Sequence, residues 1–317
     1  MTSYISVDWG GTNLKGIVCS NGEVSEIFEL PSGNIRTIHN QQLMKICKDL
    51  YQIVKELCDP PYKWLIGAAG AGNQSVINLL KVAITMAAGS TQDIEIYPDY
   101  LCNHAASLCG SDGILSVNGT GSILFGVNGD KNIRLGGWGF LFDETPSGCY
   151  FGKKYIESVL MGFEDHKDFK YYSDTYIGPN GEKANRHEIL GQIYSSDSPQ
   201  NYLGKFSRFL TDAYDTNEPN AKEIIDTSVK KLSEAIAYLA LELELSKPRI
   251  TGSGGLWDNW APFRGLVETA CKARGLNLEW QERSMPLVYG PLYHYYKING
   301  ISDTNIFPQK QTNQKSR

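Results

Sequence analysis

Two stretches of the chain share one pattern of apolar and polar positions. In the first, Tyr4-Ile5-Ser6-Val7-Asp8-Trp9 and Leu14-Lys15-Gly16-Ile17-Val18 flank Gly10-Gly11-Thr12-Asn13. In the second, Ile114-Leu115-Ser116-Val117-Asn118 and Ser122-Ile123-Leu124-Phe125-Gly126 flank Gly119-Thr120-Gly121. Each reads as a strand, a glycine-rich turn and a second strand. Glycine lets a backbone approach a ligand closely, and the N–H groups and hydroxyls of such turns suit phosphate oxygens. A single turn of this kind closes ordinary hairpins. Two of one design suggest a nucleotide held between two similar half-molecules.

The pattern between and after these hairpins is that of an α/β protein. The strand Gly16 to Leu30 continues as a meander turning at Asn21-Gly22, and Pro31-Ser32-Gly33-Asn34 is a loop. Leu43, Ile46, Cys47, Leu50, Ile53, Val54 and Leu57 recur at helical spacing and predict a helix over 37–58, ended by Asp59-Pro60-Pro61. A buried strand at Trp64-Leu65-Ile66 leads into Gly67-Ala68-Ala69-Gly70-Ala71-Gly72-Asn73 and a helix to Ala88. The strand Ile94–Tyr97 ends at Pro98-Asp99, before a helix over 101–109. That unit is complete near residue 110. The second half repeats the hairpin opening and starts a helix near Ser147. Residues 164–185 are polar and turn-rich, an irregular insertion, and long helices are expected over 187–216 and 220–246. A strand at Arg249-Ile250-Thr251, a helix over 257–274, a strand over 276–280 and a helix over 287–297 follow. The domains predicted are 1–110, completed by 287–307, and 111–286. The Gln- and Lys-rich tail 308–317 reads as disordered.

Composition narrows the class. A chain of 317 residues exceeds one typical core, so two domains are expected. With 41% hydrophobic and 21% charged residues it reads as globular. A net charge of −5 gives no reason to expect nucleic acid or an anionic membrane as partner. Seven cysteines without a C-x-x-C pair read as reduced thiols rather than disulfides or a zinc site. The immediate entry into a strand leaves no room for a signal peptide, so the expectation is a cytoplasmic protein.

Several residues are candidates for chemistry, each with a plainer reading beside it. Asp8 meets the first glycine turn, where a carboxylate would repel phosphate unless a divalent cation lay between them. It therefore reads as a water-mediated Mg²⁺ ligand, or else as an Asx-turn residue. Lys15 neutralises phosphate or is an exposed strand residue. Asp99, between a strand and a helix, suits a group that accepts a hydroxyl proton during phosphoryl transfer, or a helix cap. Gly252-Ser253-Gly254-Gly255 packs against a nucleoside or is a plain βα turn. The glycines of 67–72 fall in the wrong order for a dinucleotide fingerprint. Gly137-Trp138-Gly139 with Asp143 and Glu144 reads as a sugar-recognition element, or as a core tryptophan with helix-capping carboxylates. The five histidines share no ligand spacing.

Together these motifs resemble the actin-like ATPase and sugar kinase superfamily, in particular its N-acetylglucosamine kinase and BadF-type branch. Asp8-Trp9-Gly10-Gly11-Thr12-Asn13 is similar to the first phosphate loop, with Trp9 in place of a glycine and therefore pointing away from the phosphates. Asn118-Gly119-Thr120-Gly121-Ser122 is similar to the second. Asp99 matches the base, Asn34 a substrate-contacting residue, and Thr251 to Gly255 the adenosine loop. Gly136-Gly137-Trp138-Gly139 and Asp143-Glu144 with Ser147-Gly148 are similar to the sugar-contacting elements. The usual glycine before Asp-Glu is missing, which leaves either Asp143 or Glu144 as the sugar-binding carboxylate.

The resemblance implies two actin-like, ribonuclease H-like domains with ATP and sugar bound in a cleft between them. Gly10, Gly11, Thr12, Asn13 and Lys15, with Gly119, Thr120 and Gly121, would hold phosphates, and Gly252 to Gly255 the adenosine. Asn34, Asp99, Gly121, Ser122, Gly137, Trp138, Gly139 and Asp143 or Glu144 would hold the sugar, and Asp8 the Mg²⁺. The activity expected is ATP-dependent 6-phosphorylation of N-acetylglucosamine, with glucosamine and N-acetylmuramic acid as substitutes. A BadF-type activator ATPase and a non-catalytic sugar sensor are the other classes, and a homodimer is expected by family analogy.

Overall fold

The computed structural model describes residues 2–11, 13–33, 35, 38–143, 145–196, 198–301 and 305–308. Thr12, Asn34, Glu144 and the tail beyond Pro308 lie outside the described residues. The chain divides into two compact units, Met1–Ser111 with Glu282–Arg317, and Asp112–Gln281.

The first unit is a six-stranded sheet between two helical layers. Its strands are β1 (Ser3–Trp9), β2 (Asn13–Ser20), β3 (Glu23–Val24), β4 (Phe28–Pro31), β5 (Tyr62–Ala68) and β6 (Asp93–Pro98). The order is β3-β2-β1-β5-β6, with β4 also paired to β2. β1 pairs antiparallel with β2 and parallel with β5. It lies inside the sheet with helices on both faces, which is why Ile5 and Val7 are fully buried and the alternation is blurred. Helices α1 (Asn40–Leu57) and α2 (Gln74–Ala88) cover one face. α3 (Asp99–Leu108) and the C-terminal α12 (Gly290–Ile298) belong to the other core cluster.

The return of the C-terminal segment to the first unit has a specific cause. Buried Ser6 donates its hydroxyl to the Val288 carbonyl at 2.6 Å and accepts from the Leu292 N–H at 3.3 Å. A Cβ on Gly290 would stand 2.2 Å from the Cys102 carbonyl oxygen, so only glycine lets α12 lie this close to α3. The helix expected over 287–297 is a 3₁₀ turn, Leu287–Tyr289, followed by α12.

The second unit is a five-stranded sheet in the order β11-β10-β7-β8-β9. These are β7 (Gly113–Asn118), β8 (Ser122–Asn128), β9 (Lys131–Gly136), β10 (Arg249–Ser253) and β11 (Glu279–Trp280). β7 pairs antiparallel with β8 and parallel with β10, as β1 does with β2 and β5. The helices are α4 (Gly148–Phe163), α5 (Lys170–Thr175), α6 (Arg186–Tyr194), α7 (Pro199–Gly204), α8 (Ser207–Asp215), α9 (Pro219–Glu242), α10 (Gly255–Asn259) and α11 (Pro262–Lys272).

Three expectations need correction. The long helix over 187–216 is three helices, because Ser198 caps a new start with Pro199 in its first turn. The irregular stretch 164–185 contains the 3₁₀ turn Lys167–Phe169 and α5, whose Tyr172 is buried in the core. The strand over 276–280 shortens to β11. Among the described residues no helix is long and apolar enough to cross a membrane.

Candidate active site

In the first unit the candidate residues gather where β1, β5 and β6 end. Asp8 lies opposite Lys15 on β2 and opposite Gly67 on β5, and Gly67 in turn lies opposite Tyr97 on β6. Asp99, two residues past Tyr97, opens α3 at the same edge, where open α/β sheets bind ligands. Asp99 stands just inside the helix, and Pro98 occupies the cap position. Its Oδ1 accepts from the Tyr100 N–H at 2.9 Å.

Asp8 is pushed up to about 6 from its ordinary value of 3.8. Burial is the main cause and the negative charge of Asp99 adds to it, while Lys15 and Arg283 offset part. Two carboxylates held together in a partly dry place are under electrostatic strain. The thiol of the buried α3 residue Cys102 is raised by burial and by both carboxylates. A Cβ on Gly67 would lie 2.9 Å from its sulfur.

The first glycine turn is closed by the Gly10 N–H donating to the Asn13 carbonyl at 3.0 Å and by Ser32 Oγ donating to the Gly10 carbonyl at 2.7 Å. Trp9 points into the core, with its indole N–H on the Gly33 carbonyl at 3.2 Å. Nothing stands within 4 Å of a Cβ built on Gly11. Lys15 is exposed and pairs with Glu29 at 3.7 Å.

In the second unit the hairpin turn 119–121 is locked from three sides. The Gly148 and Cys149 N–H groups of α4 donate to the carbonyls of Gly119 and Thr120 at 2.7 and 3.0 Å. Gly254 (φ +101°) approaches so closely that a Cβ there would be 2.7 Å from Gly119 N. Asn118 lies below the turn, fully buried. Its amide donates to Ser122 Oγ (3.1 Å) and the Pro146 carbonyl (2.7 Å), and accepts from Ser116 Oγ (2.7 Å) and the Trp257 indole N–H (2.7 Å). All of its hydrogen-bonding capacity is used, on its own strand β7, on β8, on the loop before α4 and on α10.

This arrangement changes the meaning of two expected binding residues. Ser122 is buried with its hydroxyl accepting from Asn118, and Gly252 is glycine because Trp257 covers it. A Cβ on Gly252 would be 2.3 Å from the indole. Ser253 is buried and Gly255 exposed.

Trp138 is 73% exposed, so it is no core residue. Its loop is nevertheless ordered by side chains that fold back on it. Asp143 accepts from the Trp138 N–H through Oδ1 and from the Gly139 N–H through Oδ2, each at 3.1 Å. Arg134 donates to the Gly136 and Gly137 carbonyls and sets its guanidinium 5.7 Å from the Trp138 ring centre. Burial raises the Asp143 carboxyl, against the pull of the two N–H groups and Arg134. Asn118, Trp257 and Arg134 were not singled out by the sequence. Asn118 was in plain view beside Gly119, but its role depends on Pro146 and Trp257, far away in the chain.

No protein-family model matches the chain. A curated relative, the N-acetylmuramic acid/N-acetylglucosamine kinase of Clostridium acetobutylicum, is 24% identical over 268 residues, covering 82% of this chain and 87% of the relative. A Porphyromonas gingivalis protein provisionally assigned as an N-acetylglucosamine kinase aligns over 95% of this chain and 100% of its own, at a TM-score of 0.68 and 18% identity. A ROK family glucokinase from Streptomyces griseus, solved with glucose and AMPPNP, aligns over 93% and 98%, at a TM-score of 0.53 and 14% identity. The chain has the two-domain actin-like fold of the sugar kinases, and in sequence it resembles their N-acetylglucosamine kinase branch.

Proposed function

We propose that this chain is an ATP-dependent amino-sugar kinase that transfers the γ-phosphoryl group to the 6-hydroxyl of N-acetylglucosamine. The observation that carries the reading is the pairing of Asp8 and Asp99 at one sheet edge, with Asp99 raising Asp8. Phosphoryl transfer to an alcohol calls for two such groups, one serving a cation and one receiving the hydroxyl proton.

Asp8 suits Mg²⁺ bound through water. Among the described residues there is no cluster of three or more acidic, histidine or cysteine ligands, and Mg²⁺ at phosphate sites commonly keeps its waters and takes one or two carboxylates. The cation, when bound, supplies positive charge against the phosphates. Asp99 accepts the proton of the attacking hydroxyl. Gly10, Gly11, Thr12, Asn13 and Lys15, and likewise Gly119, Thr120 and Gly121, serve phosphate oxygens mainly through backbone N–H groups. Gly254 and Gly255 border the adenosine. Asn34, Gly137, Trp138, Gly139 and either Asp143 or Glu144 serve the sugar.

The name of the Clostridium relative supports N-acetylmuramic acid as a second substrate.

The test is ADP release from Mg-ATP with N-acetylglucosamine, glucosamine, N-acetylmuramic acid, N-acetylmannosamine and glucose in turn, with the position of the phosphate read by NMR. A response to an amino sugar that falls about 10²- to 10⁴-fold in Asp99→Asn, with sugar still bound, supports the reading. Silence across the panel, or a near-normal kcat in Asp99→Asn, overturns it.

A further inference from the structure

The helical segment following α4 carries a polar side chain that the reading above does not use. α7 meets α4 by close backbone approach. A Cβ on Gly152 would stand 1.8 Å from the Leu203 carbonyl oxygen, and one on Gly148 would stand 3.8 Å from that of Gly204. A Cβ on Gly204 would lie 3.9 Å from Thr120 Cγ2. Leu203 and Phe206 anchor the same turn in the core. With no side chain between the two backbones there is little slack, so α7 is held in fixed register with the second glycine turn.

Gln200 is the α7 residue on that turn. Its Nε2 is 3.7 Å from where a Cβ of Gly121 would stand, in ordinary contact distance. The side chain is half-buried, and among the described residues none hydrogen-bonds its amide.

We infer that Gln200 hydrogen-bonds a hydroxyl of the sugar acceptor beside Gly121 and helps to set which sugar is accepted. The inference rests on the sugar-kinase reading of the site. The choice of a hydroxyl over a phosphate follows from the amide itself. It offers donors and an acceptor together, which matches a group that both donates and accepts. A phosphate oxygen only accepts, and is better served by backbone N–H groups and cationic side chains. The backbone of Gly119 to Gly121 already supplies such N–H groups.

The test is steady-state kinetics of the full chain with Mg-ATP and its best sugar, for the unaltered protein, Gln200→Ala and Gln200→Glu. In Gln200→Ala the KM for sugar rises about five- to thirtyfold, as expected for one lost hydrogen bond, and the KM for ATP stays within twofold. One deoxy analogue of the sugar is then used equally well by the unaltered protein and Gln200→Ala, because the bond is missing in both. A rise in the KM for ATP, larger in Gln200→Glu where a carboxylate repels phosphate, assigns Gln200 to the nucleotide and overturns the inference. So does a twofold or smaller change in both constants. Absence of sugar-dependent turnover in the unaltered protein is seen before any variant is made. It removes the sugar-kinase reading itself, and this inference with it.

Discussion

The two glycine-rich hairpins are built on one plan and held in opposite ways. Each joins a strand to its antiparallel neighbour, and the first strand of each also pairs in parallel with a strand from later in its unit. The turn of the second unit is uncharged and interlocked. Two α4 N–H groups hold its carbonyls, Gly254 lies against its backbone, and Asn118 ties β8, the loop before α4 and α10 to β7 beneath it. In the first unit the described residues of the turn are held by the Gly10–Asn13 bond and the Ser32 hydroxyl, and its root carries the strained Asp8. One hairpin spends its chemistry on rigidity. The other carries at its root a carboxylate whose charged form burial and Asp99 disfavour. Two hairpins of one plan can therefore be held by interlocking geometry or left with an electrostatic tension at the root, and this chain does each once.

The comparison can be broken most severely at Gly254. Its backbone conformation (φ +101°, ψ 171°) is open essentially to glycine alone, and a Cβ would collide with Gly119 and Asn118. Gly254→Ala is expected to destabilise the protein by about 3 kcal/mol or more, from backbone strain and the clash together. Denaturant unfolding checks this, and a loss under about 1 kcal/mol would mean that the turn is not interlocked.

Asn118→Ala comes next. It leaves the half-buried Trp257 indole N–H and the buried Pro146 carbonyl without their partner, at an expected cost of about 2–4 kcal/mol. The indole emission of Trp257 should shift as its hydrogen bond is lost. An unchanged spectrum and unfolding midpoint would contradict the role given to Asn118.

The smallest effect has the opposite sign. Because the folded-state pKa of Asp8 is raised, folding favours its protonated form. The stability linked to Asp8 is greatest below about pH 4 and is lost as the pH rises through about 6. Asp8→Asn should therefore stabilise the metal-free protein by about 1–2 kcal/mol at pH 7.5, a value reduced for its partial exposure, and by almost nothing at pH 4. Activity should fall while the melting temperature rises. A variant less stable at pH 7.5 would show that the charge of Asp8 is satisfied in the free protein.

Much of this was legible from residue order. The hairpins, the α1 stripe and the strand ending at Asp99 follow from local periodicity and turn chemistry, which act over a few residues. The break of 187–216 into three helices had a local signal as well, in the serines before Pro199. Trp138 and Asp143 were harder. Whether a tryptophan beside glycines is buried, and whether a carboxylate turns outward or back on its own loop, depends on neighbours that periodicity does not name.

The sequence by itself determined the α/β class, the doubled hairpin and the two aspartates at strand ends, because strand period, glycine turns and helical spacing are properties of adjacent residues. Only the tertiary structure decided that Gly252 serves Trp257, that Asn118 joins Ser116, Ser122, Pro146 and Trp257, and that α7 brings Gln200 beside Gly121. The contacts of Asn118 with Pro146 and Trp257, and of Gln200 with Gly121, join residues far apart in the chain. They exist only once burial has brought the segments together and left their polar groups to find partners within the fold.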